Sequence, residues 1–390
     1  MFVVSPAPRS VWGELLASDP GAMPSQTPEW LDVACRQGGW RDASRLYELG
    51  SGRAVVLPLA ERRYGRWTVR ASLPRRWDAG GLVAAGGVRP DEVAAVLREL
   101  AADRGRRTFV RPGFSQAAAW AAAWDSVAAR RGRRGASALA VARRVHVLDL
   151  SGGLDAVWGR RVSAEMRKGV RRARRRAEAA GVVVRWGNSP ELLAMSEEVH
   201  RQWVDRRAAE RHLPRPVARL RAARAEPASR ARALLGALGD AAAVGVALAG
   251  GVPVATQVLL FQGAVAVFWR AYADLDASRS LLANVLMFAE AIEFSCRRGC
   301  RVAELGESGG IASLERFKER FGALAWPMAE YTLERLPVQR LAVGAERLVA
   351  SVDRHLLAHR TARAPASPRG RPRSPRGTNG PTPVGGAGAP

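Results

Sequence analysis

Residues 304–323, ELGESGGIASLERFKERFGA, read as the end of a buried strand, a glycine bend and a short helix carrying Lys318. The strand, placed at 301–305, stops at Gly306, and the helix is expected around 314–321. The chain holds 61 lysines and arginines, and the only lysines are Lys168 and Lys318. In a chain that has replaced nearly all lysine with arginine, a surviving lysine marks a place that needs a compact ammonium of tunable pKa rather than a planar fork. Chance survival is the plainer alternative.

Upstream of this stretch the pattern gives three strands, at 241–249, 252–262 and 264–273, with the first turn at Gly250 and Gly251. A long helix over 280–298 follows, and only then the strand at 301–305. Three antiparallel strands, a helix and a further strand give a sheet that changes pairing direction, and such a place makes a crevice for a ligand. Earlier still, Ser163 is placed to cap a helix whose buried stripe is Met166, Val170, Ala173 and Ala177, and Gly181 ends it. A strand over 182–186, a helix from Ser189 and Pro190 to about 207 and a second basic helix over 217–238 complete this half. Downstream, 331–336 reads as a closing strand and 338–358 as a helix. The last thirty residues, rich in Pro, Gly and Arg with almost no large apolar side chain, read as a disordered tail.

The first half repeats this layout. ASRLYELGSGRAVVLPLAERR gives two short strands about a Gly-Ser-Gly turn, as AAAVGVALAGGVPVATQVLLFQ does about Gly250. VAAVLRELAADRGRRTFVRPG then parallels VLMFAEAIEFSCRRGCRVAELG as helix followed by strand. The expected fold is mixed α/β, two tandem copies of one unit, each a mostly antiparallel sheet flanked by helices. The units fall at 1–150 and 151–337, followed by a helix over 338–360 and the tail over 361–390. Chemistry should concentrate in the second copy or at the seam, because only that copy continues into the lysine-bearing helix.

With 390 residues, 47% of them hydrophobic, the chain has enough apolar material for a real core. Its formal charge of +25 sits mostly in three segments, 156–180, 201–232 and 360–390. Such clusters attract polyanions: nucleic acid, nucleotide phosphates or an anionic membrane surface. Solvated basic faces in an arginine-rich chain are the alternative. No apolar run is long enough to span a bilayer, and the cytosol is the expected compartment. Cys35, Cys296 and Cys300 cannot build a disulfide framework, and the histidines show no metal spacing. No metal site is expected.

The pattern HVLDLSGGLDAVWGRRVSAEMRKGVRRARRRAEAAGVVVRW, followed after the hairpins by CRVAELGESGG and SLERFKERFGA, resembles the Fem-type acyltransferases. These are a branch of the GNAT superfamily that includes peptidoglycan-bridge aminoacyltransferases and BioF-like acetyltransferase domains. The resemblance is specific over about 145–335 and covers the first half in layout only. It implies two GNAT-like units, an acyl donor in the cleft of the second and an amine acceptor between them. The donor it implies is acyl-CoA or aminoacyl-tRNA, used as a co-substrate with no tightly bound cofactor. The acceptor would be a small molecule or a precursor amine, from the cell wall or from secondary metabolism. One departure stands out. Where ordinary GNAT enzymes carry a glycine-rich loop for the CoA pyrophosphate, ADLDASRSLLANV has no glycine, which leaves Ser278, Arg279, Ser280 and the amides of the helix they begin to hold phosphate.

Acyl transfer to an amine needs a neutral amine, a stabilised oxyanion and a route for protons. By the resemblance Lys318 lies near the reaction centre, where, flanked by Phe317, it would supply positive charge. The alternative is a helix-surface lysine paired with Glu315. Glu307 is placed to act as base or to hold the acceptor ammonium, with a plain helix-N-terminal acid as its alternative. In AVAVFWRAYAD, Phe268, Arg270 and Tyr272 share one strand face, which puts Arg270 and Tyr272 at the cleft. Arg206, Arg207, Lys168, Arg171 and Arg172 are candidate phosphate contacts, tRNA phosphates included. No GxSxG elbow appears, so direct transfer is expected over a covalent acyl-enzyme. A second class of function is a non-catalytic nucleic-acid or polyanion-binding protein on a degenerate transferase scaffold.

Overall fold

The computed structural model describes residues 1–334 apart from 51, 66, 75, 76, 103–105 and 133–136. The expected helix over 338–360 and the tail lie outside the described residues. The strands of the first half are β1 (Phe2–Val4), β2 (Arg41–Asp42), β3 (Arg45–Glu48), β4 (Ala54–Leu57), β5 (Ala60–Tyr64), β6 (Trp67–Ala71), β7 (Val83–Ala84), β8 (Arg106–Val110) and β9 (Ser137–Asp149). Those of the second are β10 (Val183–Gly187), β11 (Ala242–Ala249), β12 (Val252–Gln262), β13 (Val265–Ala273), β14 (Val302–Glu307) and β15 (Leu324–Glu334). The helices run α1 (Arg9–Ser18), α2 (Pro28–Gly38), α3 (Pro90–Ala102), α4 (Ala117–Gly132), α5 (Gly153–Ala156) and α6 (Ala164–Ala179). They continue with α7 (Pro190–Glu210), α8 (Arg215–Ala225), α9 (Ala228–Leu238), α10 (Leu275–Ser280), α11 (Ala283–Arg297) and α12 (Ala312–Arg320).

β1, β3, β4 and β7 make a small sheet, and the others form one large sheet in the order β10-β11-β12-β13-β14-β9-β15-β8-β6-β5-β2. This is the mixed α/β, two-unit layout. Apart from the short β7 before α3 and the short α10 before α11, β6–α3–β8–α4–β9 and β13–α11–β14–α12–β15 follow the same order, and each contains one parallel pair, β6 with β8 and β13 with β14. The closing strands are exchanged. β9, at the end of the first unit, pairs with β14 of the second, while β15 pairs with β8 of the first. The two closing strands pair with each other from Leu324 opposite Val147 to Glu334 opposite Ser137.

The second half packs both faces of its sheet. On one, Val244, Val258, Val265 and Val267 meet α7 and α9; on the other, Leu259, Phe261 and Phe268 meet α6, α11 and α12. α6 forms as its pattern requires: the Ser163 hydroxyl accepts from the Met166 amide, and Met166, Val170, Ala173 and Ala177 are buried. Burying Val170 or Met166 contributes roughly 1.5–3 kcal/mol each. Gly322, at φ 90°, crosses so close to the segment leading into α6 that a Cβ there would lie 2.6 Å from the Arg161 carbonyl oxygen. That approach lets the Ser163 amide bond the Arg320 carbonyl at 2.9 Å and ties α12 to α6.

Three expected elements differ. The basic helix over 217–238 is two helices, broken at Glu226 and Pro227, because proline fixes φ and lacks the N–H a continuous helix needs. The long helix does not begin at Ser280: Asp274 caps the short α10, Leu282 turns the chain at φ 56°, and α11 starts afresh at Ala283. The closing strand begins at Leu324 rather than Tyr331, recruited by its pairing with β9.

Candidate functional site

β13 and β14 pair in parallel only where Val265, Ala266 and Val267 face Val302, Ala303 and Glu304, and then part. Two irregularities drive them apart. On β13 the register against β12 slips between Val258 and Leu259, leaving Trp269 as an extra residue between Phe268 and Arg270. On β14 the register against β9 slips between Glu304 and Glu307, with Gly306 at φ 70° in the slipped segment. A cavity of about 850 Å³ opens on one side of the wedge, against Met287 and Phe288 of α11 and Phe317 and Lys318 of α12. A smaller one of about 260 Å³ lies against Asp78, Arg111, Arg143 and Glu304. Both are lined by Phe268, Trp269, Gly306 and Glu307, so they meet where the strands separate.

Lys318 is 4% exposed, not a surface lysine paired with Glu315. Its Nζ donates to the carbonyls of Gly306 at 2.9 Å and Glu307 at 3.1 Å, pinning the end of β14. Those are two of the three N–H bonds an ammonium has. Burial lowers its pKa to about 8 against the opposing pull of Glu304, Glu307 and Glu315. Phe288, Phe317 and Phe321 close around it as mutual edge and tilted ring contacts with centroids 4.6–5.2 Å apart. His146 of β9, whose Nδ1 lies 3.3 Å from the Ser308 hydroxyl, is buried beside them, and burial and then the charge of Lys318 lower its pKa.

The carboxylates of the smaller cavity come from both halves. Glu304, 6% exposed, points from β14, and burial, reinforced by the charge of Asp78, pushes its pKa up to about 8. Asp78 arrives on a first-half loop at φ 89°, and burial raises its pKa as well. Glu307 takes an ion pair from Arg111 across the seam, with Arg143 Nη1 4.0 Å from its other oxygen. A carboxyl held near pKa 8 beside an open cavity can take a proton from an ammonium at neutral pH and return it to solvent.

Of the residues singled out in the sequence, Lys318, Glu307, Phe317, Tyr272, Ser278, Arg206 and Arg207 line the larger cavity. Arg206 pairs with Asp276 at 3.0 Å, and Arg207 lies over the Trp203 ring and 3.7 Å from Glu210. Ser278, Arg279 and Ser280 begin no helix. They form the last turn of α10, whose first amides are already taken by the Asp274 carboxylate at 2.9 Å. Arg270 and Tyr272 do not share the face of Phe268: the extra residue Trp269 re-phases the strand, so Arg270 pairs with Val258 and Tyr272 with Thr256. Both line a third cavity with Glu226, which accepts from the Tyr272 hydroxyl at 2.7 Å. Lys168, Arg171 and Arg172 lie exposed on α6 and line none of these cavities. Sequence reasoning missed Glu304, Asp78, Arg111 and Arg143. Glu304 had a signal, a carboxylate inside a strand read as buried. The other three come from the first half and had none.

Among the described residues no helix is long and apolar enough to cross a membrane, and no group of His, Cys, Asp or Glu is placed to hold a metal ion. A search of curated proteins found no match. Among solved structures, FemX is similar over 87% of this chain and 99% of its own, with a TM-score of 0.63 at 11% identity. A conserved protein of unknown function from Bacteroides thetaiotaomicron is similar over 84% of this chain and 97% of its own, with a TM-score of 0.51 at 11% identity. A tandem GNAT protein from the clavulanic acid biosynthesis pathway covers 84% of this chain and 95% of its own, with a TM-score of 0.43 at 16% identity. Residues 164–319 match the family model described as an acetyltransferase (GNAT) domain. The second half of this chain is thus similar to the acetyltransferase (GNAT) domain family over residues 164–319, and the two-unit fold is similar to that of FemX.

Proposed function

We propose that the chain is an N-acyltransferase that moves an acyl group directly from its donor to an amine. The observation that carries this is the meeting of two cavities at the parting of β13 and β14, with Lys318 on the larger and Glu304 on the smaller. The donor occupies the larger cavity, where Arg206, Arg207 and Ser278 meet its phosphates in exchange for their present partners. The amine enters from the other side. Glu304 accepts a proton from the ammonium, the freed nitrogen lone pair attacks the acyl carbon, and the C–N bond forms. The bond from that carbon to the donor's sulfur or oxygen then breaks, and the leaving group takes up a proton. Lys318, near the carbonyl, stabilises the oxyanion that develops between these steps. Glu307, held by Arg111, keeps the mouth of the site in register.

Acyl-CoA and the 3′ end of an aminoacyl-tRNA both fit a donor with an anionic handle. The exposed Lys168, Arg171 and Arg172 supply a phosphate-binding face outside the cavities for the second of these. Titrating the protein with acetyl-CoA, and separately with charged and uncharged tRNA at two salt concentrations, tests the reading. Saturable micromolar binding of acetyl-CoA that survives added salt makes it an acyl-CoA enzyme. Preference for charged over uncharged tRNA, without CoA binding, makes it an aminoacyltransferase. Salt-sensitive binding of both tRNAs alike, with no transfer from either donor, would leave a polyanion-binding protein.

A further inference from the structure

Among the described residues the smaller cavity carries more acid than base. Its two guanidiniums, Arg111 and Arg143, are answered by Glu307 and Glu330. Arg111 pairs with Glu307 and lies 3.7 Å from Glu330, and Arg143 lies 3.1 Å from Glu330. Asp78 and Glu304 have no ion pair of their own among the described residues, although the charge of Arg111 reaches both and that of Lys318 reaches Glu304. Glu304 is more than nine-tenths buried, and its Oε2 has no hydrogen-bond partner. A buried carboxylate oxygen left unpaired beside a cavity is costly unless a ligand completes it. Asp78 contributes only an acceptor to the Ala79 amide at 2.7 Å, and it does so from φ 89°, a left-handed backbone that costs a non-glycine residue about 1 kcal/mol or more.

Past Asp78 and Trp269 the cavity continues into one of about 480 Å³ lined by Glu226, Trp269 and Tyr272. The groove is therefore longer than a single amine needs. Its floor is aromatic and its far end carries another carboxylate, already bonded to Tyr272 and 3.5 Å from Arg270.

We infer that the acceptor is an extended cationic amine with no carboxylate next to its nitrogen, its ammonium seated between Asp78 and Glu304 and its length running past Trp269 toward Tyr272 and Glu226. The inference rests on the acyl-transfer reading of the wedge and names the acceptor's class. An ammonium supplies the ion pair that the two acids lack. A carboxylate beside that nitrogen would face both acids, while Arg111 is already paired with Glu307 and Glu330 and keeps only its buried Nε without a hydrogen bond, so the balance of charge selects against amino-acid-like acceptors. Asp78 is delivered to this site by the first half of the chain, on the loop between β6 and β7.

The test is calorimetric titration of the full chain, without donor, using 1,4-diaminobutane and glycine as probes, on the parent and on Asp78→Asn and Asp78→Gly. Diaminobutane is expected to bind and glycine not to, and both variants should weaken diaminobutane about tenfold. Thermal melting of Asp78→Gly controls for folding: its midpoint should hold or rise, because φ 89° suits glycine. Glycine binding as well as diaminobutane, no binding of diaminobutane at millimolar concentration, or unchanged affinity in both variants overturns the proposal. A fall in midpoint with affinity intact marks Asp78 as structural and overturns it too. Because the donor is absent, failure of the acyl-transfer reading shows separately, as no donor binding or transfer while the amine still binds.

Discussion

The chain builds the same strand–helix–strand crossover twice, with β6 and β8 in one half and β13 and β14 in the other, and the two pairs end differently. Beyond β6 the Ser72 amide bonds the Phe109 carbonyl at 2.8 Å, and the Ser72 hydroxyl accepts from the Arg111 amide at 3.1 Å. The Gly80 amide adds a bond to the Arg111 carbonyl at 2.6 Å, and a Cβ at Gly80 would lie 2.7 Å from the Ser72 oxygen. The first wedge is stitched shut by backbone. In the second, two register slips spread the strands and a lysine holds the loose carbonyls that the spread creates. The same topology serves as scaffold where its polar groups satisfy one another, and as a site where they are left for something else.

Replacing groups in the open wedge should matter far more than replacing the stitches of the closed one. Glu304→Gln is expected to slow transfer about 10²–10⁴-fold with donor affinity unchanged; a loss under threefold in single-turnover assays would remove Glu304 from the chemistry. Lys318→Met should slow transfer about 10²-fold and destabilise the fold by ~1–3 kcal/mol, since two carbonyls lose their donor. Denaturant melts and turnover read the two effects apart. Asn284→Trp, placing a ring at an exposed position on the larger cavity, should weaken donor binding about tenfold, measured by titration. The smallest effect belongs to Ser72→Ala, which should cost about 1 kcal/mol of stability and leave the transfer rate within twofold. A large rate loss there would mean that the closed wedge also serves the chemistry.

The pH dependence sharpens the contrast. The carboxyl of Glu304 is raised from an ordinary 4.5 to about 8, so the native state holds a proton that the unfolded chain releases. Its contribution to stability is full below pH 4.5 and is lost as pH rises toward 8. Lys318 is depressed from 10.5 to about 8, so its contribution is present above 10.5 and is lost as pH falls toward 8. Stability from this pair should therefore be lowest near pH 8, and chemical denaturation across pH 5–10 should show the acid-side slope disappear in Glu304→Gln. Transfer should rise with pH up to about 8, as the base ionises.

Much of this was legible in the sequence, because local rules and global packing agree over most of the second half. The Ser163 cap, the α6 stripe and the lysine helix sit where period and punctuation put them, whereas β14 runs on through Gly306 to Glu307 instead of stopping at the glycine. Single residues that override a pattern were harder to read. Pro227 splits a helix, Asp274 caps one early, and Trp269 adds a residue that turns Arg270 and Tyr272 to the other face. The acid cavity was the least legible, since Arg143 reaches Glu304 through the pairing of β9 with β14, and Asp78 and Arg111 through the further pairing of β15 with β8 and β9. No local window contains that information.

The exchange of closing strands carries a consequence for how the protein is made. Val110 of β8 finds its neighbour only in Tyr331, so the first half leaves the ribosome with its sheet unfinished, and it waits for almost the whole described chain to follow. β9 is synthesised early with no partner until β14 emerges, an exposed strand edge on a nascent chain. A stalled or prematurely terminated product would expose that edge rather than release a folded first domain, and the two copies, similar as they are, mature as one.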